Sequence, residues 1–137
     1  MSELPAASLE LVWQRAGSRC EYCGLHQEES NLTFHVDHVV AKQHGGSDEP
    51  DNLCLSCSQC NRKKGPNLSG LVNGKLYPLF NPRKQSWRRH FEWDQTILVG
   101  KTPTGVATIF VLNINSEARI RRREQLLFEG RFPPEDD

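Results

Sequence analysis

The chain has 137 residues, a length typical of one domain, and 36% of them are hydrophobic. Average globular domains have roughly 45–50% on a count that includes glycine, so we expect a small hydrophobic core. No apolar run reaches the roughly 18 residues that span a bilayer, which argues against a membrane protein. The start of the sequence shows neither a basic leader nor an apolar signal core, which argues against a secreted protein. We therefore expect a soluble, cytoplasmic protein.

The formal net charge is zero, but the charges are unevenly distributed. Residues 1–60 carry nine acids and three bases, residues 61–90 carry eight bases and no acid, and residues 91–137 carry eight acids and six bases. Aromatic residues lie among the central bases, and cations beside stacking groups suit a nucleic-acid backbone. The bases that we predict to bind nucleic acid are Arg62, Lys63, Lys64, Lys75, Arg83, Lys84, Arg88 and Arg89. The alternative is a solvated basic face without a partner.

The first predicted element is a helix over residues 5–17, and two C-x-x-C pairs follow it. The pairs Cys20/Cys23 and Cys57/Cys60 predict a structural zinc site, because each short turn directs both sulfurs at one tetrahedral ion. A redox role is the weaker interpretation, since no βαβ pattern surrounds the pairs. Cys54 is also correctly spaced from Cys57 and could replace Cys60, but alternation in the short strand 52–55 favours Cys54 as a small buried residue.

The segment between the pairs predicts a strand, a long loop, a short strand and a helix. Residues 32–40 are β-branched and aromatic, and residues 44–47 form a turn that leads into an acidic loop. After the short strand, Ser58 is the predicted cap of a helix that runs to about Lys64, where Gly65-Pro66 ends it.

This order resembles the HNH endonuclease family, in the subtype whose ββα-metal (His-Me finger) core is held by two C-x-x-C pairs. The matching residues, between about 18 and 66, are Cys20, Cys23, Asp37-His38, Gly45-Gly46, Asn52-Leu53, Cys57-Ser-Gln-Cys60-Asn61 and Lys64. The resemblance implies that His38 is the general base and that Asn52 fixes the loop. It further implies that Asp37 and Asn61 hold a catalytic divalent ion, and that the four cysteines of the two pairs bind one structural zinc.

The residue types suit phosphodiester hydrolysis. A neutral imidazole such as His38 can accept a proton from water near neutral pH, and carboxylate and amide oxygens suit Mg²⁺ or Mn²⁺. Simpler roles are a packed histidine for His38 and a helix cap for Asn61. His35 shares a strand face with Asp37, so an additional metal ligand and a packing residue both remain open.

The remaining chain predicts a hairpin within residues 91–99, a helix start at Thr102-Pro103 and an amphipathic helix over 116–129. Residues 106–112 fit helix or strand equally well. We therefore expect an α+β fold with an N-terminal helix (residues 1–17) and a ββα-metal core with the four-cysteine zinc site (18–70). A basic C-terminal α/β extension (71–137) is expected to pack on the core within the same compact domain.

The predicted function is a metal-dependent HNH endonuclease that nicks or cuts DNA. The expected substrate is double-stranded DNA, held mainly through its backbone. The first alternative is a non-catalytic zinc module that binds nucleic acid, and the second is a zinc-stabilised adaptor for protein interactions.

Overall fold

A computed structural model describes residues 4–133, which form two compact units. The first unit contains residues 4–68 and 81–85, and the second contains residues 69–80 and 86–133. Within the described range, helices accompany three two-stranded antiparallel sheets, so the predicted α+β class is confirmed.

The first unit begins with helix α1 (Ala6–Ala16), whose Val12 is fully buried. The helix ends at Gly17, which adopts the left-handed conformation (φ 61°) that glycine tolerates without a steric cost. Arg15, in its last turn, donates hydrogen bonds of 2.9 Å to the carbonyl oxygens of Pro50 and Leu53. The helix is thereby attached to the strand that enters the centre of this unit.

That centre is a ββα element. Strand β1 (His35–His38) pairs antiparallel with β2 (Leu53–Ser56), and helix α2 (Ser58–Lys64) follows directly. All four residues of β2 are buried, whereas β1 has one exposed and three half-buried residues. The ββα order predicted from the sequence is confirmed, and β1 is shorter than the predicted strand over residues 32–40.

The cap of α2 differs from the predicted one. Cys57 occupies the cap position instead of Ser58, and its Sγ accepts a hydrogen bond from the Cys60 amide at 3.4 Å. A thiolate or thiol sulfur thus takes the place of the oxygen that usually satisfies a first-turn amide. The helix ends at Gly65, as predicted.

The loop between β1 and β2 is tightly closed at Gly46. A Cβ atom at this position would lie 1.7 Å from the Val40 carbonyl oxygen and 2.8 Å from the Asn52 side-chain nitrogen. Only glycine allows the backbone to approach so closely. The loop therefore folds back onto the end of β1 and keeps its residues near the site.

The second unit contains two hairpins and three helices among its described residues. Its strands are β3 (Ser69–Val72) with β4 (Lys75–Pro78), and β5 (Phe91–Asp94) with β6 (Ile97–Gly100). Its helices are α3 (Trp87–His90), α4 (Pro103–Val111) and α5 (Glu117–Phe128).

Helix α4 resolves the ambiguous segment 106–112 as mainly helical. Thr102 caps it by accepting the Gly105 amide at 3.1 Å, and Pro103 occupies the first turn. The buried Thr108 hydroxyl donates to the Thr104 carbonyl at 2.7 Å, so this polar side chain is satisfied inside the unit. Among residues 4–133, no helix has the length and apolarity to cross a membrane.

Candidate metal centre and nuclease site

Four buried cysteines come together in the first unit. The sulfurs of Cys20, Cys23, Cys57 and Cys60 all lie within 4.8 Å of one another. The Cys23 and Cys57 sulfurs are 3.8 Å apart, which is about the separation expected around a tetrahedral ion with metal–sulfur bonds of about 2.3 Å. Each pair also has an amide-to-sulfur hydrogen bond, from Cys23 to Cys20 at 3.5 Å and from Cys60 to Cys57 at 3.4 Å. This donor set fits zinc.

Burial determines the charge of these thiols without a metal. Burial raises the pKa of Cys20 and of Cys60 well above the usual range. Without a cation these thiols therefore remain protonated, because separate thiolates would have lost their hydration without compensation. A divalent ion would stabilise the thiolates and release protons on binding, which links metal binding to folding.

Cys54 lies outside this cluster. It sits in β2 opposite Asp37, is fully buried, and its thiol donates to the Tyr22 hydroxyl at 3.6 Å. Burial raises the pKa of Cys54 to about 12. The geometry therefore groups Cys60, and not Cys54, with the other three sulfurs.

The end of β1 carries Asp37, which meets a buried lysine. Lys64, in the last turn of α2, is only 2% exposed, and its Nζ lies 3.4 Å from Asp37 Oδ2. The same ammonium donates to the His38 carbonyl oxygen at 3.1 Å. Burial raises the pKa of Asp37, while the charge of Lys64 and its hydrogen bond act in the opposite direction. Lys64 thus ties α2 to both site residues of β1.

His38 contacts a carboxylate from the loop. Its Nε2 lies 2.8 Å from Asp48 Oδ1, and Lys42 Nζ lies 3.2 Å from Asp48 Oδ2. The hydrogen bonds with His38 and then with Lys42 hold the pKa of Asp48 below its usual range. No sequence pattern selects Asp48, because Glu49 and Asp51 offer the same charge in the same loop.

Asn52 joins both ends of that loop. Its Oδ1 accepts the Val40 amide at 2.9 Å, and its Nδ2 donates to the carbonyl oxygens of Val40 at 3.0 Å and Ser47 at 2.8 Å. The side chain uses its acceptor and both of its donor hydrogens in this way. These bonds are of the kind expected for a residue that fixes the loop beside His38.

Asn61 and His35 are the two remaining predicted ligands. Asn61 lies half-buried on α2, the helix that packs against β1. His35 is exposed at the start of β1, opposite Ser56. Among the described residues, no cluster of three or more His, Cys, Asp or Glu side chains other than the four cysteines could hold a metal. The predicted roles of Asp37, Asn61 and His35 as ligands of a catalytic metal therefore stay predictions.

Lys64 and Arg83, both predicted to bind nucleic acid, have partners inside the first unit. Lys64 is buried, and its ammonium lies beside the Asp37 carboxylate. Arg83 is 12% exposed and forms an ion pair with Glu21, whose other oxygen accepts the Leu55 amide at 2.8 Å. Both side chains therefore face partners inside the first unit, and their contact with nucleic acid stays a prediction. The exposed bases of the predicted set are Arg62, Lys63, Lys75, Lys84, Arg88 and Arg89.

The first unit thus combines a strand ending in Asp-His, a loop fixed by asparagine, a second strand and a helix, with a four-cysteine cluster. This is the arrangement of a ββα-metal nuclease domain. Residues 20–67 match the family model described as HNH endonuclease, so the resemblance to this family is confirmed over that segment. The family implies a nuclease-type function with a nucleic-acid substrate.

One curated relative extends the similarity beyond this domain. The Septu protein PtuB of Bacillus thuringiensis is 29% identical over 118 residues, which cover 85% of this chain. The aligned part is 44% of that protein, so the chain spans less than half the length of this relative. No solved structure gave a significant match.

Proposed function

We propose that this protein is a metal-dependent endonuclease that hydrolyses DNA phosphodiester bonds, with His38 as the general base. The observation that carries the proposal is the placement of Asp37 and His38 at the end of β1. There Lys64 contacts both residues, and Asn52 fixes the adjoining loop. The match of residues 20–67 to the HNH endonuclease family model also supports an enzyme over a non-catalytic zinc scaffold.

The imidazole of His38 would accept a proton from a water molecule, whose oxygen attacks the phosphorus atom. The bond between phosphorus and the 3′ oxygen then breaks, and the 3′ oxygen takes up a proton. The products are a 5′-phosphate and a 3′-hydroxyl, as in the family that the chain resembles. Lys64 would keep the backbone of His38 in place during this step through its bond to the His38 carbonyl.

Asp37 and Asn61 would hold a divalent ion, Mg²⁺ or Mn²⁺, through a carboxylate and an amide oxygen. The bound ion would offset the charge that develops on the phosphate and the leaving oxygen. The chemistry of this donor set fits such an ion, since Mg²⁺ commonly has one or two protein ligands and keeps water or phosphate oxygens. The four-cysteine cluster would bind zinc, which would stabilise the fold.

The nuclease reaction is tested with supercoiled plasmid. We expect nicked or linear DNA with wild-type protein and Mg²⁺ or Mn²⁺, and no product with EDTA. The variant His38→Ala should lower the rate by a factor of about 100 to 10,000, the usual contribution of a general base. Equal cleavage by wild type and His38→Ala, or no cleavage with several metals, would contradict the proposal. Retained DNA binding would then leave a non-catalytic zinc module.

The DNA contact is tested separately through salt dependence. Arg88 and Arg89 are exposed neighbours on α3. If both contact phosphates, the double alanine variant should reduce the slope of log K against log salt by about 1.8, since each contact contributes about 0.9. Arg121→Ala, an exposed arginine of α5 in the same unit, is the control. An equal slope in the wild type and the double variant would remove these two bases from the DNA surface.

A further inference from the structure

The loop between β1 and β2 directs a carboxylate at the proposed general base. Asp48 Oδ1 lies 2.8 Å from His38 Nε2, and Asp48 Oδ2 lies 3.2 Å from Lys42 Nζ. The backbone on both sides of this contact is fixed by one side chain. Asn52 binds the amide and carbonyl of Val40, two residues after His38, and the carbonyl of Ser47, one residue before Asp48. Asp48 is therefore held at His38 by the fold of the loop.

The chemistry of this contact determines where the imidazole proton lies. An ionised carboxylate only accepts hydrogen bonds, so Nε2 of His38 must be the donor. A neutral imidazole carries one proton, and Nδ1 is then the nitrogen with a lone pair. The Asp48 side chain is partly exposed to water, and like an ordinary aspartate it is ionised at neutral pH. Lys42 offsets its negative charge, which would otherwise oppose an approaching phosphate.

We propose that Asp48 is the positioning residue of the nuclease site, which holds His38 with its proton on Nε2 and presents Nδ1 to the attacking water. This inference rests on the proposed function. In the reaction, Nδ1 takes the proton from water, and the imidazolium formed is stabilised by the Asp48 carboxylate until Nδ1 returns the proton to solvent. Asp48 itself stays ionised and does not touch the phosphate.

The kinetic test compares three variants. Asp48→Ala should lower kcat by about 10- to 100-fold with little change in KM for DNA, since the contact orients the base and does not bind substrate. Asp48→Asn should be faster than Asp48→Ala, because the amide oxygen can still accept a hydrogen bond from Nε2–H of His38. It lacks the negative charge that would stabilise the imidazolium. Asp51→Asn removes an exposed acid from the same loop and should have wild-type kinetics.

A spectroscopic test separates this inference from the proposed function. In zinc-loaded protein without added Mg²⁺, at a pH where the imidazole is neutral, nitrogen-15 spectra of His38 should show the Nε2-protonated tautomer. Asp48→Ala should give a mixture of tautomers, and Asp51→Asn should not. Unchanged tautomer and kcat in Asp48→Ala would overturn the inference. If the wild type cuts no DNA, the proposed function fails, and the tautomer in Asp48→Ala alone decides whether Asp48 positions His38.

Discussion

Replacing Lys64 by methionine tests the buried ion pair beneath the site. Lys64 Nζ lies 3.4 Å from Asp37 Oδ2, and Coulomb's law with an effective dielectric constant of about 20 gives roughly 5 kcal/mol at this distance. Part of this energy is offset in the wild type, because the Lys64 ammonium loses its hydration when it is buried on folding. Methionine has no such cost. The Asp37 side chain is also 19% exposed, so solvent screening weakens the attraction. We expect the free energy of unfolding to fall by about 2–4 kcal/mol.

The measurement is urea unfolding of zinc-loaded protein without added Mg²⁺. Lys63→Met is the matched control, because Lys63 is the exposed neighbour on the same helix and its loss should change stability by about 0.5 kcal/mol or less. The double variant Asp37→Asn/Lys64→Met should recover much of the loss, because no unpaired buried charge remains. Equal stability of Lys64→Met and Lys63→Met would refute the reasoning.

The same variant has a predicted pH dependence. Burial raises the pKa of Asp37 above its usual value, and Lys64 opposes this rise. A raised pKa means that Asp37 binds its proton more tightly in the folded state than in the unfolded state. The stability gained from this proton is present in acid and is lost as pH rises through the folded-state pKa. Without Lys64 the pKa rises further. The deficit of Lys64→Met should therefore be small in acid and grow with pH, and a pH-independent deficit would contradict the assignment.

Two further predictions concern the metal cluster and the loop. Zinc analysis should find about one zinc per chain in Cys54→Ser and loss of zinc in Cys60→Ser. Of these two cysteines, only Cys60 has its sulfur in the four-cysteine cluster. The reverse result would overturn the ligand set. Gly46→Ala should lower the free energy of unfolding by about 1–3 kcal/mol and reduce DNA nicking, because its methyl group would collide with the Val40 carbonyl. Wild-type stability and nicking would show that the loop relaxes without cost.

The ββα element and the cysteine set could be predicted from the sequence because their signals are local. Each C-x-x-C pair forms its own turn, with an amide-to-sulfur bond inside the pair, so spacing indicated three of the sulfurs and left Cys54 and Cys60 as alternatives for the fourth. The alternation around Cys54 correctly indicated a buried strand position. The segment 106–112 was ambiguous, because its apolar residues suit either a helix or a strand. In the structure it lies mainly in α4, where the Thr108 hydroxyl bonds to the Thr104 carbonyl one turn earlier.

Side-chain partners between distant segments could not be predicted in this way. Arg62, Lys63 and Lys64 are consecutive bases, and only the geometry of α2 against β1 makes the third of them buried. Arg83 meets Glu21 across 62 residues of chain. In the loop, three acids follow Ser47, and the one that lies at His38 is Asp48, directly after the carbonyl that Asn52 binds.

The low hydrophobic content acquires a structural explanation from these polar contacts. The first unit is held by the four-cysteine cluster, by Lys64 bridging α2 to β1, and by Asn52 closing the loop. Several of these groups adjoin the residues proposed to act on DNA, so the contacts that complete a modest core also set the geometry of Asp37 and His38. A loss of activity in a variant such as Lys64→Met therefore has two sources. Asp48→Ala differs, because the Asp48 side chain is 36% exposed and its effect should appear in kcat and the His38 tautomer before it appears in stability.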